Sequence, residues 1–209
     1  MNEIFIKKNR QSKLICPNEI LRSFSKDELS GVNCLLINMP IREQALPNNA
    51  PLGLSILAAQ LQRHGAHVEI LDLNSYRIKD ALSLYKKLSN GRILSESEVR
   101  HYLESYVDAR KFQLIALSGL ITTLKWQKFC ASFLKSISPE SYLVSGGGLA
   151  TEFREELFNW MPELDAVAHS EGDSVIIKIA RDARELANRP QVTPEVIKKI
   201  VSPSRQVTK

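Results

Sequence analysis

The sequence predicts an α/β fold: a flavodoxin-like (Rossmann-like), doubly wound, five-stranded parallel sheet in the order 2-1-3-4-5. Three observations lead there. Short apolar, strand-like runs alternate with segments of helical periodicity from Val32 to Ala187. Two junctions rich in proline, glycine and small residues stand where a strand gives way to a helix. One is Asn38-Met39-Pro40 followed by Asn48-Asn49-Ala50-Pro51-Leu52-Gly53-Leu54, and the other is Ser145-Gly146-Gly147-Gly148-Leu149-Ala150-Thr151. Finally, 209 residues with a hydrophobic fraction of 44% and a charged fraction of 24% suffice for one well-filled domain. Strands joined through helices need right-handed crossovers, and these give a parallel sheet covered on both faces.

Residues 1–30 are polar and mixed, with a weak helical stretch around Pro17 to Phe24, and read as an extension outside the core. Val32 to Asn38 is the first strand. Pro51 suits the first turn of a helix and Gly65 its stop, with Leu54, Leu57, Ala58 and Leu61 as one apolar stripe. His67 to Leu73 is the second strand. Two helices follow, one more than the plan needs, so an extra helix is expected between strands 2 and 3. Ile78, Ala81, Leu82, Tyr85 and Leu88 mark the first of them, over residues 77–90. The second opens at the capping-box pattern Ser95-x-x-Glu98 and continues through Val99, Leu103, Tyr106 and Val107. Phe112 to Ser118 is the third strand, and Trp126, Phe129, Cys130, Phe133 and Ile137 lie on the helix after it. Tyr142 to Gly146 is the fourth, followed by a helix bearing Phe153, Leu157 and Phe158. Leu164 to Ala168 is the fifth. A helix from about Ser174 to Ala187 closes the unit, with Val175, Ile176, Ile179, Ala183 and Leu186 inward. The domain therefore runs from 31 to 187, and residues 188–209 form a basic tail.

Bulk properties exclude several classes. No apolar run approaches the roughly 18 residues of a membrane span, and the N-terminus lacks the apolar core of a signal peptide. A cytoplasmic location without membrane association is expected. The three cysteines, Cys16, Cys34 and Cys130, are scattered and match neither a disulfide framework nor a zinc site. The net charge of +5 is spread out, with mild clusters at Lys7-Lys8-Asn9-Arg10 and Lys198-Lys199. No basic helix with interleaved aromatics accompanies it, so the charge reads as solvated surface and not as a nucleic-acid interface.

In this strand order, the loops after strands 1, 3, 4 and 5 share the carboxyl edge of the sheet. Residues 39–51, 118–123, 146–151 and 169–173 therefore form one rim. Its glycines and hydroxyls fit either of two roles: tight strand-to-helix turns, or a surface for a bulky ligand close to the backbone. Glu171 suits a helix-capping acid or a ligand contact.

The same residues resemble the cobalamin-binding domain at the N-terminus of cobalamin-dependent radical SAM enzymes, over roughly residues 31 to 187. The shared features are Pro51-Leu52-Gly53-Leu54 at a helix start, Ser118-Gly119 with Thr122-Thr123 after strand 3, and Gly146-Gly147 after strand 4. Ser170-Glu171-Gly172-Asp173 stands where that family has Gly-Glu-Gly-Glu, departing at its first and last positions. The resemblance implies cobalamin as cofactor, with Pro51, Ser118, Gly119, Thr122, Thr123, Gly146, Gly147, Gly148, Thr151, Glu171 and Gly172 around it. Small residues would leave a slot for the nucleotide tail. Thr122, Thr123 and Thr151 would hydrogen-bond phosphate, ribose or amides, or cap the helices they open.

No protein ligand to cobalt is expected. The Asp-x-His-x-x-Gly motif of other cobalamin proteins is replaced by Met39-Pro40-Ile41-Arg42-Glu43, and only His169 lies on the rim. The Cys-x-x-x-Cys-x-x-Cys triplet of the radical SAM barrel is missing, so no iron–sulfur cluster is expected in this chain. The chain then reads as a module without catalysis of its own. It would be a fragment or the partner of a separate radical SAM or methyltransferase subunit, meeting it through Ile41, Leu46, Leu149 and Phe153, with the core as the alternative place for Phe153. A flavin- or nucleotide-binding flavodoxin-like enzyme or regulatory domain remains the alternative.

Overall fold

The computed structural model describes residues 3–8, 11–15, 24–40, 50–74, 94–107, 109–173 and 175–187. The helix expected over 77–90, the basic tail at 188–209 and nearly all of the stretch from Pro17 to Phe24 lie outside these residues. So do Ile41 and Leu46.

Strands β1 (Glu3–Lys8), β2 (Gln11–Ile15), β3 (Asn33–Asn38), β4 (His67–Asp72), β5 (Leu114–Ser118), β6 (Tyr142–Gly146) and β7 (Ala166–His169) form one sheet in the order β2-β1-β7-β6-β5-β3-β4. Its five parallel strands, β3 to β7, have the expected order 2-1-3-4-5 and a flavodoxin-like winding. The hairpin β1–β2 is an addition that the sequence reading lacked. It pairs antiparallel along β7, with Glu3 opposite His169 and Ile6 opposite Ala166.

Strand residues alternate between two cores, as a sheet buried on both faces requires. Leu35, Ile37, Ile115, Leu117, Leu143 and Val167 face one layer, containing α2 (Glu96–Val107), α3 (Leu124–Ile137), α4 (Gly148–Phe153) and α5 (Leu157–Trp160). Cys34, Leu36, Ala116, Val144 and Ala166 face the other, containing α1 (Leu52–Arg63) and α6 (Val175–Ala187). The capping box at the start of α2 forms in both directions. Ser95 N–H donates to the Glu98 carboxylate at 2.8 Å, and Glu98 N–H donates to Ser95 Oγ at 3.3 Å.

Three expectations need correction. Residues 1–30 are not wholly outside the core, because β1 and β2 extend the sheet and Leu29 is fully buried. Leu186 is 42% exposed, because it lies beyond Ala183, the last buried residue of α6. The helix after β6 is not continuous: Arg154 adopts φ +48°, which ends α4 and admits a 3-10 turn (Arg154–Glu156) before α5.

The segment before β3 anchors the α1–α6 layer. Leu29 is fully buried there, and its N–H donates to the His64 carbonyl at 2.7 Å. The Arg184 guanidinium donates to the Glu28 carbonyl, and Arg181 lies 5.5 Å from the Phe24 ring centre.

Candidate functional site

The carboxyl ends of β5, β6 and β7 stop beneath the N-terminal turns of α1 and α6, and a slot of about 270 Å³ remains between these elements. Its floor is made by Ala116, Val144 and Ala168 on the strands, with Leu54 and Leu57 of α1 and Val175, Ile176 and Ile179 of α6. The three strand residues share one sheet face: Ala116 pairs with Val144, Val144 pairs with Ala166, and Ala168 lies two residues beyond Ala166. At the mouth stand Ser118, Ser170, Glu171 and Asp173, with Gly53, Gly146, Gly147 and Gly172 between them.

Five of the residues expected at the site border this slot: Ser118, Gly146, Gly147, Glu171 and Gly172. Pro51, Gly119, Thr122, Thr123, Gly148 and Thr151 do not line it. Pro51 precedes α1, and its carbonyl accepts from Ser55 N–H at 3.0 Å. Thr122 is exposed beside the mouth loops, whereas Thr123 is fully buried and its hydroxyl donates to the Leu120 carbonyl at 2.7 Å. Neither Thr123 nor Thr151 caps a helix through its side chain. Thr151 lies within α4, donates to the Gly147 carbonyl at 3.0 Å and accepts from Ser170 N–H at 3.2 Å.

A buried polar chain lies behind the mouth, and the sequence alone did not reveal it. Ser145 Oγ donates to Gln127 Oε1 at 2.9 Å, and the Gln127 amide reaches Thr123 Oγ1 at 3.5 Å. All three side chains are fully buried. Gly119 packs directly on them: a Cβ there would collide with the Thr123 hydroxyl. The Gly119 carbonyl in turn accepts from Leu149 N–H at 3.1 Å, joining the turns after β5 and β6. Gly147 sits against Gly119 with φ +81°, a conformation that favours glycine. A Cβ on Gly148 would press on Leu120, so these three glycines have packing reasons.

Gly146 and Gly53 differ. A Cβ on either would meet nothing within 4 Å, and both border the slot. Close packing within the chain explains neither.

Next to the slot, the ends of β3 and β4 carry a second polar group that motif reading missed. Asn38 Nδ2 donates to the Asp72 carboxylate at 2.8 Å, and Asp72 also accepts from Asn74 N–H at 3.1 Å. Of the apolar residues expected at the upper face, Leu149 is fully buried and Phe153 packs on Trp160 at 4.7 Å, so neither is free for contact. Leu52, Ile56, Leu120 and Ile121 are the large apolar side chains exposed at this edge instead, from 48% to 71%. His169, at the end of β7, is half-buried.

Among the described residues, no group of three or more His, Cys, Asp or Glu side chains is placed to hold a metal, and no helix is long and apolar enough to cross a membrane. Burial pushes the Cys34 and Cys130 thiols up to about 12, which leaves both protonated and unreactive. The arrangement can enclose a flat, largely apolar group and hold its polar connection at the mouth.

No family model and no curated protein sequence matches this chain. Among solved structures, its fold is similar to that of the radical S-adenosylmethionine methyltransferase TsrM from Kitasatospora setae. One such structure carries tryptophan substrate and the SAM analogue aza-SAM, and another carries cobalamin and a [4Fe-4S] cluster. Each superposes with a TM-score of 0.54 and 18% identity over 77% of this chain, covering 27% and 25% of the TsrM chain respectively. This chain thus spans about a quarter of that protein's length.

Proposed function

We propose that this chain is a cobalamin-binding module that leaves cobalt without a protein ligand and serves a radical SAM methyltransferase or related enzyme, in trans or as a fragment. The observation that carries this reading is the slot at the carboxyl edge, where Gly146 and Gly53 keep space open that the chain itself does not use. The shared fold with a protein solved with cobalamin bound supports it. The motif resemblance over Pro51–Leu54, Ser118–Thr123, Gly146–Gly147 and Ser170–Asp173 supports it from the sequence.

The residues present fit the group. A corrin is too broad for about 270 Å³, so the slot would take the nucleotide tail while the ring rests on the rim. Ser118 and Ser170, which line the mouth, would hydrogen-bond the tail where it enters, and the N-terminal turns of α1 and α6 would favour negative charge there. The exposed Thr122 and Thr151 would meet ring amides, and Leu120 and Ile121 its apolar face. Gly119, Thr123 and Gly148 would act through the backbone of the two turns, not by direct contact. When bound, cobalamin supplies a carrier for methyl transfer; this chain's part is to bind, orient and shield it. We place the cobalamin-holding part at residues 31–187, preceded by a segment that completes its sheet through β1–β2 and its core through Leu29, and followed by a basic tail, in a cytoplasmic protein.

Hydroxocobalamin mixed with the protein should co-elute on desalting, with its corrin absorbance in the protein peak. Gly146→Val projects a side chain into the slot and should weaken binding at least tenfold with little change in Tm. His169→Ala should leave the visible spectrum of the bound corrinoid unchanged. A thermal-shift panel of cobalamin, FMN, NAD and ATP separates the alternative, since a ligand of the folded state raises Tm. A shift with FMN or NAD and none with cobalamin would overturn the proposal.

A further inference from the structure

The floor of the slot offers no hydrogen-bonding side chain. Ala116 and Val144 pair with both neighbouring strands and Ala168 pairs with Ile4 of β1, so the ladder engages their backbone. Leu54, Ile176 and Ile179 close the floor from the helices with hydrocarbon. Every polar side chain of the slot stands at a strand end or in the turn before α6: Ser118, Ser170, Glu171 and Asp173. A group inserted here finds polar side chains where it enters and none at depth.

We propose that this slot selects among corrinoids by their lower base, favouring an apolar benzimidazole over a purine. The inference rests on the reading of the chain as a cobalamin-binding module. A dimethylbenzimidazole would present two methyl groups to the alanine and valine floor, where burial of hydrocarbon is favourable. Adenine would bring ring nitrogens and an exocyclic amine to the same place. These groups would leave water and gain no partner, a loss on the order of ten- to a hundredfold in affinity. The discrimination arises from unmet hydrogen bonds, not from size, because both bases are flat bicyclic rings.

Three probes test it by equilibrium dialysis against the full chain: cobalamin, its adenine-base analogue adeninylcobamide, and cobinamide, which lacks the nucleotide. Cobalamin should bind tightest, adeninylcobamide ten- to a hundredfold more weakly, and cobinamide more weakly than cobalamin. Ala168→Ser, or Val144→Thr, places a hydroxyl on the floor and should narrow the gap between the two bases. Should none of the three bind, the module reading falls and this inference with it. Equal binding of cobalamin and cobinamide would show that the slot takes no base and would overturn the inference alone. Equal binding of cobalamin and adeninylcobamide, with cobinamide weak, would also overturn it while leaving the module standing.

Discussion

Gly119 and Gly146 stand at the same edge of the sheet for opposite reasons. The first has no room for a methyl group, because Thr123, held by Gln127 and Ser145, fills the space behind it. The second faces open space. Both were legible in the sequence as glycines at strand ends, but which one spares a neighbour and which one spares a ligand is a tertiary fact. Gln127 shows the same limit: on α3 it is one polar residue in an apolar stripe, and its partner Ser145 lies on another element. The buried thiols give a prediction at this scale. Cys34 and Cys130 hold their protons in the folded chain to about pH 12, against the ordinary 9.0 when unfolded. Burial, assisted by Asp182 and Asp165, raises the Tyr142 hydroxyl in the same direction. Above pH 9 the unfolded state therefore binds fewer protons, and stability falls as pH rises, by up to about 1.4 kcal/mol per unit for each thiol. Urea titrations from pH 8 to 11 should show this decline, with a shallower slope in the Cys34→Ala Cys130→Ala double variant. An unchanged slope would mean that the thiols do not contribute.

Among the elements, the parallel strands were the most readable. Near-continuous apolar runs such as Cys34 to Ile37 fit only a strand buried on both faces, and their glycine and proline flanks set the ends. The capping box likewise fixed the start of α2. The hairpin β1–β2 was not readable, because its sequence is polar and mixed and its pairing partner, β7, is the last of the described strands. The break after α4 was hidden as well, since Arg154 is an ordinary helix former until its φ turns positive. The hairpin carries a prediction. Without residues 1–15 the ladder of β7 loses its antiparallel partner, and an uncovered edge strand templates association. Such a truncated chain should show a larger apparent mass than the full chain at equal concentration, yet retain the slot. Starting the chain at Gly31 removes Leu29 from the core and should cost a further amount on the order of 3 kcal/mol in urea unfolding. An unaltered elution profile for the first truncation would show that β7 needs no cover.

At the scale of the whole molecule, the order 2-1-3-4-5 brings the ends of three adjacent strands to one mouth, and that order, legible in the sequence, named the edge that holds the slot. The depth of that slot was not legible, because Ala116, Val144 and Ala168 carry no motif and become its floor only by sharing a sheet face. The partner expected on the exposed side belongs to this scale too. Exposed Leu52, Ile56, Leu120 and Ile121 surround an edge where a second protein would meet a bound corrin. Pull-down from the native cell with added cobalamin should recover a radical SAM or methyltransferase subunit, and Leu52→Glu with Ile121→Glu should abolish that recovery. Recovery of no such partner, with or without cobalamin, would confine the chain to binding alone.

Pairing of Glu3 with His169 also sets a timetable. On the ribosome the hairpin emerges before the parallel strands, yet its place in the sheet does not exist until β7 has been made. It must wait through the synthesis of nearly the whole domain, and closing so long a loop adds an entropic delay. The parallel strands can assemble in sequence order while the N-terminus stays undocked. A segment translated ahead of the parallel strands is thus the last of the sheet to settle, and its arrival marks the sheet as finished.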